Sequence, residues 1–156
     1  MQKFPTVAAC DMIGLPRQRL NEDIASGAYP CPPELSSERV GRFWDEHDLC
    51  ALRVYTFFLN VYGAEGTNHK PAISKRVAGL YAQCTLEALR KGVQAPRLDF
   101  PITGFNDEWE ACDSDEPPNF VSPSGVGAIA TLCLSLEDIR ADVQARIAHR
   151  NGEAVG

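Results

Sequence analysis

The sequence lacks a long apolar run: nowhere do its hydrophobic residues approach the ~20 consecutive positions that a helix needs to cross a bilayer. No basic N-terminal segment leads into an apolar stretch, so we expect neither a signal peptide nor a membrane partner. No low-complexity block is long enough to keep the chain mainly disordered. The 156 residues are 44% hydrophobic and 23% charged, which is typical of a globular chain that buries its own core.

Cysteine pairs are also missing. The six cysteines form no C-x-x-C motif, and no histidine stands at a zinc-ligand spacing from any of them. We therefore expect no metal and no cofactor, and reduced thiols in a cytoplasmic protein, although a metal-sensing cysteine pair stays open as an alternative. Four cysteines have apolar neighbours and are predicted to lie in the core: Cys10, Cys50, Cys84 and Cys133.

Catalytic patterns are absent as well. The histidines His47, His69 and His149 are far apart in sequence, and no Ser-His-Asp set can be assembled around them. Residues 125–127 lack the flanking pattern of a phosphate-binding loop. The carboxylates at 107–110 suit a metal or acid–base pair, but an exposed acidic loop is the simpler interpretation. The sequence therefore predicts a protein that is not an enzyme.

Charge is unevenly distributed along the chain. The net charge is −6, yet residues 67–97 carry six Lys or Arg against one acidic residue, a net of +5. Residues 1–66 have a net charge of −3 and residues 98–156 a net charge of −8. This segregation indicates either a polyanionic partner or association between segments of unlike charge.

Two short helices joined by a tight turn are predicted near the N-terminus. Thr6 is expected to cap the first, over residues 7–13, and Gly14 to end it. Pro16 suits the first position of the second helix, which reaches about Ser26. Two helices in this arrangement outline a helix-turn-helix.

A small ribbon and a central helix are predicted next. Three prolines between residues 30 and 33 exclude a helix there. Tyr29 is expected to pair with residues 40–44 in a ribbon that carries arginines near its tip. Asp45 then caps a third helix to about residue 62, with Asp48 completing a capping box.

The rest of the chain is less regular. Residues 63–70 are predicted as a polar linker, and residues 71–91 as an amphipathic helix with basic residues on its solvated face. Residues 92–118 are acidic and irregular in pattern. A short strand at 128–134 then leads to a last helix, which Ser135 caps and which ends near residue 148.

The order of these motifs carries a family resemblance. Residues 4–59 resemble the winged helix-turn-helix domain of MerR-type regulators and of the related phage excisionases. Leu20-Asn21-Glu22 departs from the Arg-Tyr-Tyr that is usual in the family, and no long coiled-coil helix with ligand-binding cysteines follows residue 60. The motifs that match are Thr6-Val7-Ala8-Ala9, Gly14-Leu15-Pro16, Leu20, Ile24, Gly27, Gly41-Arg42-Phe43-Trp44, Asp45-Glu46-His47-Asp48-Leu49 and Leu52.

The resemblance implies a mainly α fold with a small amount of β structure (α+β). Residues 1–62 would form a winged helix-turn-helix domain. The resemblance does not extend to residues 71–156, which are predicted from their own pattern to form a helical and strand–helix region for dimerisation or partner binding. The departures mean that no metal or effector of the MerR kind is implied.

The side chains at the start of the second helix suit base recognition. Arginine pairs bidentately with guanine, and glutamine or asparagine with adenine. Arginines on the ribbon suit phosphates or the minor groove. An ordinary solvated face is the alternative, and the acidic Glu22 and Asp23 would repel phosphate if they faced it. Because a helix turns by ~100° per residue, Asp23 is expected to point away from Arg17. The predicted DNA-binding residues are Arg17, Gln18, Arg19, Asn21, Arg39 and Arg42.

Taken together, these patterns predict a sequence-specific transcriptional regulator that binds a palindromic site in double-stranded DNA as a homodimer. The dimer follows because one short helix contacts too few base pairs for useful specificity. Two alternatives stay open. One is an excisionase-like protein that bends DNA. The other is a protein-binding adaptor or ligand sensor whose winged domain does not bind DNA, with the acidic segment 98–116 as its partner surface.

Overall fold

The computed structural model describes residues 1–61, 74–102, 110–112 and 130–152. Within them the chain has five helices and two three-stranded antiparallel sheets, which confirms the α+β class. The helices are α1 (Thr6–Ile13), α2 (Arg17–Ser26), α3 (Glu46–Val61), α4 (Lys75–Arg90) and α5 (Leu136–Arg150). The strands are β1 (Phe4–Pro5), β2 (Leu35–Ser37), β3 (Gly41–Trp44), β4 (Arg97–Ile102), β5 (Glu110–Cys112) and β6 (Ala130–Ser135).

The turn between α1 and α2 forms as the sequence predicts. Gly14 ends α1 in the left-handed conformation at φ 80°, and Gly27 ends α2 at φ 79°. These are values that glycine adopts without the steric cost of a Cβ. Pro16 stands one position earlier than expected, as the residue that precedes α2.

The first turn of α1 differs from the prediction. Pro5 precedes the helix and no side chain caps it, so Thr6 is not its cap. The Thr6 hydroxyl accepts a hydrogen bond from Trp44 Nε1 at 3.1 Å and lies 3.4 Å from the Arg42 carbonyl, to which it donates. Thr6 therefore joins α1 to β3, because satisfying a buried indole N–H takes precedence over capping an exposed helix end.

The first sheet has the strand order β1-β3-β2. In β3, Trp44 pairs with Phe4 of β1, and Arg42 pairs with Leu35 of β2. Tyr29 was predicted to pair in this ribbon, but it is buried instead. Its ring centroid lies 6.0 Å from that of Trp44 and 5.1 Å from that of Tyr55. The prolines that follow Tyr29 prevent strand pairing there, and burial of the aromatic ring in the apolar core is favourable instead.

The capping box of α3 is confirmed. The amide of Asp48 donates to Asp45 Oδ1, and the amide of Asp45 donates to Asp48 Oδ2, each at 3.0 Å. Arg90, at the end of α4, binds both carboxylates, at 2.6 Å from Asp45 and 3.0 Å from Asp48. The start of α3 is therefore held by α4 as well as by its own cap.

Helix α4 packs along α3, but it turns a different face inward from the one predicted. The apolar spacing predicts an inner face that includes Leu80, Tyr81, Cys84 and Ala88. Tyr81 and Ala88 are buried, whereas Leu80 and Cys84 are only partly buried. The periodicity missed the small residues, which allow the two helices to approach closely. The buried residues of α4 are Ala78, Gly79, Tyr81, Ala82, Thr85, Ala88 and Leu89.

The second sheet lies partly where an irregular acidic segment was expected. Strand β4 pairs with both β5 and β6, so residues 92–118 contain two strands that the prediction missed. Leu98 and Phe100 of β4 are fully buried. The predicted strand–helix unit is confirmed in β6 and α5, where the Ser135 hydroxyl accepts from the Asp138 amide and caps α5. Cys133 is exposed rather than in the core.

One hydrophobic core runs from β1 and α1 through α3 and α4 to β4, β6 and α5. The predicted linker 63–70 lies outside the described residues, and the division into domains 1–62 and 71–156 stays a prediction. In the part of the chain that the structure describes, no helix is long and apolar enough to cross a membrane.

Candidate nucleic-acid interface

Helix α2 presents a polar face to solvent. Arg17, Gln18 and Asn21 are exposed and lie on one shallow surface, together with Glu22 and Ala25. Gln18 Nε2 donates to Glu22 Oε1 at 3.0 Å. Three of the predicted base-reading side chains therefore share one face, which also carries a carboxylate.

Arg19 does not belong to that exposed face. It is half-buried at the flank of α2 that turns towards α3, where its charge acts on the phenol of Tyr55. A helix turns by about 100° per residue, so Arg19, two residues after Arg17, points to nearly the opposite side of α2 from Arg17. Of the two arginines predicted to contact DNA from α2, only Arg17 is therefore on the exposed face.

The underside of α2 is fixed in the core. Leu20 is fully buried, and Asp23 is 3% exposed, so Asp23 points away from the solvated face as the sequence predicted. Its carboxylate accepts a hydrogen bond from Tyr55 Oη at 2.8 Å and forms an ion pair with Lys75 Nζ at 3.2 Å. Burial, followed by the Asp23 carboxylate, raises the pKa of Tyr55, which keeps the phenol protonated and able to donate.

The ribbon formed by β2 and β3 carries the other two predicted arginines. Arg39 is exposed in the turn between the strands, as expected for a residue at the tip. Arg42 is half-buried, and its Nη1 donates to the carbonyl of Pro33, so part of its guanidinium binds β3 to the segment that precedes β2. Leu35 and Val40 are 56% and 58% exposed, which gives the ribbon an apolar outer surface.

Lys75 and Tyr55 are neighbours of this interface that the sequence did not reveal. Lys75 lies 52 residues from the aspartate it binds, and pattern analysis along the chain has no means of pairing residues at that separation. The available signal was indirect: an aspartate on the inner face of a helix requires a buried donor or cation somewhere in the fold.

A second concavity of about 390 Å³ lies between α3, β6 and α5. Its described lining includes the exposed Phe57, the partly buried Leu132 and Ile139, and the thiol of Cys133. Partial burial at this exposed position, and then a hydrogen bond to Asp99, raise the pKa of Cys133, so at neutral pH this residue is a thiol rather than a nucleophilic thiolate.

The described residues offer no group of three or more His, Cys, Asp or Glu side chains placed to hold a metal ion. The acidic segment 98–116, expected as a partner surface, lies largely outside the described residues. No protein-family model matches the chain, and no curated protein shows a significant match to it.

Proposed function

We propose that this protein is a sequence-specific DNA-binding transcriptional regulator, with α2 as the helix that enters the major groove. The observation that carries the proposal is the division of α2 into two faces. Arg17, Gln18 and Asn21 are free of the core, while Leu20 and Asp23 hold the helix from beneath. A winged helix-turn-helix domain is the finer fold that this arrangement supports.

The dimensions of α2 suit a DNA groove. A helix with its side chains is about 10–12 Å in diameter, which matches the major groove width of about 12 Å, and the ten residues of α2 would span about 15 Å along its axis. Recognition helices contact bases with side chains near their N-termini, and Arg17 and Gln18 are the first two residues of α2. Arginine suits guanine, and the amides of Gln18 and Asn21 suit adenine.

The ribbon supplies a second contact of different chemistry. Arg39 at its tip suits a phosphate or the narrow minor groove. Leu35 and Val40 beside it present apolar surface of the kind that packs against sugars and base edges in that groove. The ribbon would therefore contribute affinity and orientation, while α2 contributes base discrimination.

The overall charge sets the kind of binding. A net charge of −6 and the carboxylate of Glu22 on the reading face both oppose tight binding to arbitrary DNA. Useful affinity then requires the sum of two half-sites. We therefore propose a homodimer on a palindromic site, with the half-sites about one helical turn of DNA apart.

Selection of bound sequences from a random DNA pool tests the proposal. The expected result is one enriched inverted repeat, with binding that weakens steeply as salt rises. A pool that stays random after several rounds would contradict it. Arg17→Ala in the same selection should lose the preference at one base position of each half-site.

The exposed apolar ribbon favours one second candidate, an excisionase-like protein that bends DNA. Apolar side chains that insert between base steps kink the duplex by tens of degrees. A large bend in the selected site, without an effect on transcription from a promoter that carries it, would favour this candidate over a regulator.

A further inference from the structure

A buried carboxylate lies directly beneath the face of α2 that is proposed to read DNA. Asp23 is 3% exposed, and each of its two oxygens has a named partner. Oδ2 accepts from the phenol of Tyr55 on α3, and Oδ1 binds the ammonium of Lys75 on α4. Burying a charged side chain costs free energy unless it is paired and hydrogen-bonded, so the rotation of α2 that supplies both partners is favoured.

The position of Lys75 is itself fixed by the packing of α4. The Ser74 hydroxyl accepts from the Val77 amide, so Lys75 is the first residue of a capped helix. One turn further on, Gly79 lies so close to the chain after α2 that a Cβ there would overlap the carbonyl oxygen of Ala28. The start of α4 therefore cannot shift relative to α2 without breaking a close contact.

We infer that Lys75 is a positioning residue for the reading face of α2, an inference that rests on the proposed function. Its ammonium, bound to Asp23, sets the rotation of α2 about its own axis, and that rotation sets the direction of Arg17, Gln18 and Asn21. Lys75 does not need to touch DNA in this role.

A small rotation is sufficient to matter. Side-chain tips lie about 6 Å from a helix axis, so a rotation of about 15° moves them by about 1.5 Å. Bidentate pairing with a base edge requires donor–acceptor distances of about 2.7–3.2 Å. A movement of this size therefore breaks the hydrogen bonds to the base. Loss of the Lys75–Asp23 pair is therefore expected to reduce discrimination between sequences more than it reduces affinity for DNA in general.

The test compares Lys75→Met with Arg76→Met. Both substitutions remove one positive charge from the first turn of α4, and Arg76 is an exposed neighbour. The quantity measured is the ratio of affinities for the selected inverted repeat and for a scrambled duplex, at a temperature where each variant is folded by circular dichroism. The ratio should fall about tenfold for Lys75→Met, the size of one lost base contact, and should be unchanged for Arg76→Met. Lys75→Arg should retain the wild-type ratio.

Equal ratios for Lys75→Met and Arg76→Met would overturn the inference, even if Lys75→Met melts at a lower temperature. A wild-type protein without any sequence preference would instead overturn the proposed function, so the two failures are distinguishable. If Lys75→Met does not fold, Asp23→Asn carries the test, because it keeps the shape of the side chain but removes the charge that Lys75 binds. It should lower the ratio about as much, and an unchanged ratio would again contradict the inference.

Discussion

At the scale of single residues, several side chains act on elements other than their own. Thr6 is the clearest case. Its place after a proline and before an apolar helix is typical of a cap, yet its hydroxyl accepts the hydrogen bond of the fully buried Trp44 indole. The local sequence has no information about which donor lies across the fold, so the cap was predicted and the cross-link was missed.

Thr6→Val should therefore destabilise the protein by about 1–3 kcal/mol, because it leaves the Trp44 N–H buried without an acceptor. Urea unfolding at neutral pH measures the change. Thr6→Ser keeps the hydroxyl and should cost much less. Equal losses in the two variants would mean that the methyl group, rather than the hydrogen bond, is what matters.

Two exposed arginines should have different effects on DNA binding. Arg17→Ala should cost about 1–3 kcal/mol at one base position and relax specificity there. Arg39→Ala should weaken binding to all sequences about equally and reduce the salt dependence by about one ion. Titrations of the selected site and its single-base variants, at two or more salt concentrations, separate these effects. Identical behaviour of the two variants would contradict their assigned roles.

Asp142 makes stability depend on pH. Burial raises the pKa of this carboxyl, but the hydrogen bonds from Arg53 at 2.6 Å and Arg146 at 2.9 Å outweigh that effect, and the net pKa lies below the ordinary value of 3.8. A lowered pKa in the folded state stabilises the protein above pH 3.8, and this contribution is lost as the pH falls through the folded-state value.

Unfolding in urea across a range of pH checks this. The wild type should be more stable than Asp142→Asn at neutral pH, and the two should converge as the pH falls below about 4. A constant difference between wild type and Asp142→Asn at every pH would contradict the assignment.

At the scale of elements, the residues that begin or end helices predicted the structure more accurately than the periodicity of apolar residues did. Gly14, Gly27, the Asp45–Asp48 box and Ser135 placed the ends of four helices correctly, because each acts through neighbours in sequence. The inward face of α4 and the strand β4 were missed. Both depend on what packs against them: alanines and a glycine become core when a helix lies close, and an acidic stretch becomes a strand when a partner strand pairs with it.

The close approach of α4 to the chain after α2 predicts that glycine is more stable than alanine at position 79, the reverse of the usual helical preference. Alanine normally stabilises a helix over glycine by about 1 kcal/mol. Gly79→Ala should instead destabilise the protein by about 1–3 kcal/mol, because the added Cβ overlaps the Ala28 carbonyl and lies 2.9 Å from Pro30 Cδ.

Exposed Glu87 on the same helix provides the matched control for this substitution. There Glu87→Ala should be more stable than Glu87→Gly by about 1 kcal/mol. Chemical unfolding of the four proteins gives both differences. The packing interpretation fails if alanine is preferred at both positions.

At the scale of the whole molecule, the segregation of charge has a partial explanation within the chain. Lys75 and Arg90, from the basic segment 67–97, bind Asp23, Asp45 and Asp48 from the acidic segment 1–66. Association between unlike segments was one of the two expectations from the charge pattern, and these ion pairs are of that kind. The sequence showed the imbalance but not which charges meet, because the pairs are separated by more than 40 residues.

The continuous core predicts that residues 1–62 do not fold stably alone. Tyr55 and Phe58 of α3 are buried in a core that includes α4, where the Phe58 ring centroid lies 5.2 Å from that of Tyr81. A fragment of residues 1–62 should unfold without a cooperative transition, whereas the whole chain should show one. Circular dichroism during thermal unfolding measures both. Cooperative unfolding of the fragment would instead support the predicted domain boundary at residue 62.

The two faces of α2 have a consequence for how such a protein changes over time. Within the ten residues of α2, the side chains that pack into the core are different from the side chains that are exposed to solvent. Variation at Arg17, Gln18 and Asn21 leaves the interior untouched, so, under the proposed function, a new target preference can arise without loss of a folded chain. The same separation makes α2 a natural place to randomise when a new specificity is to be engineered.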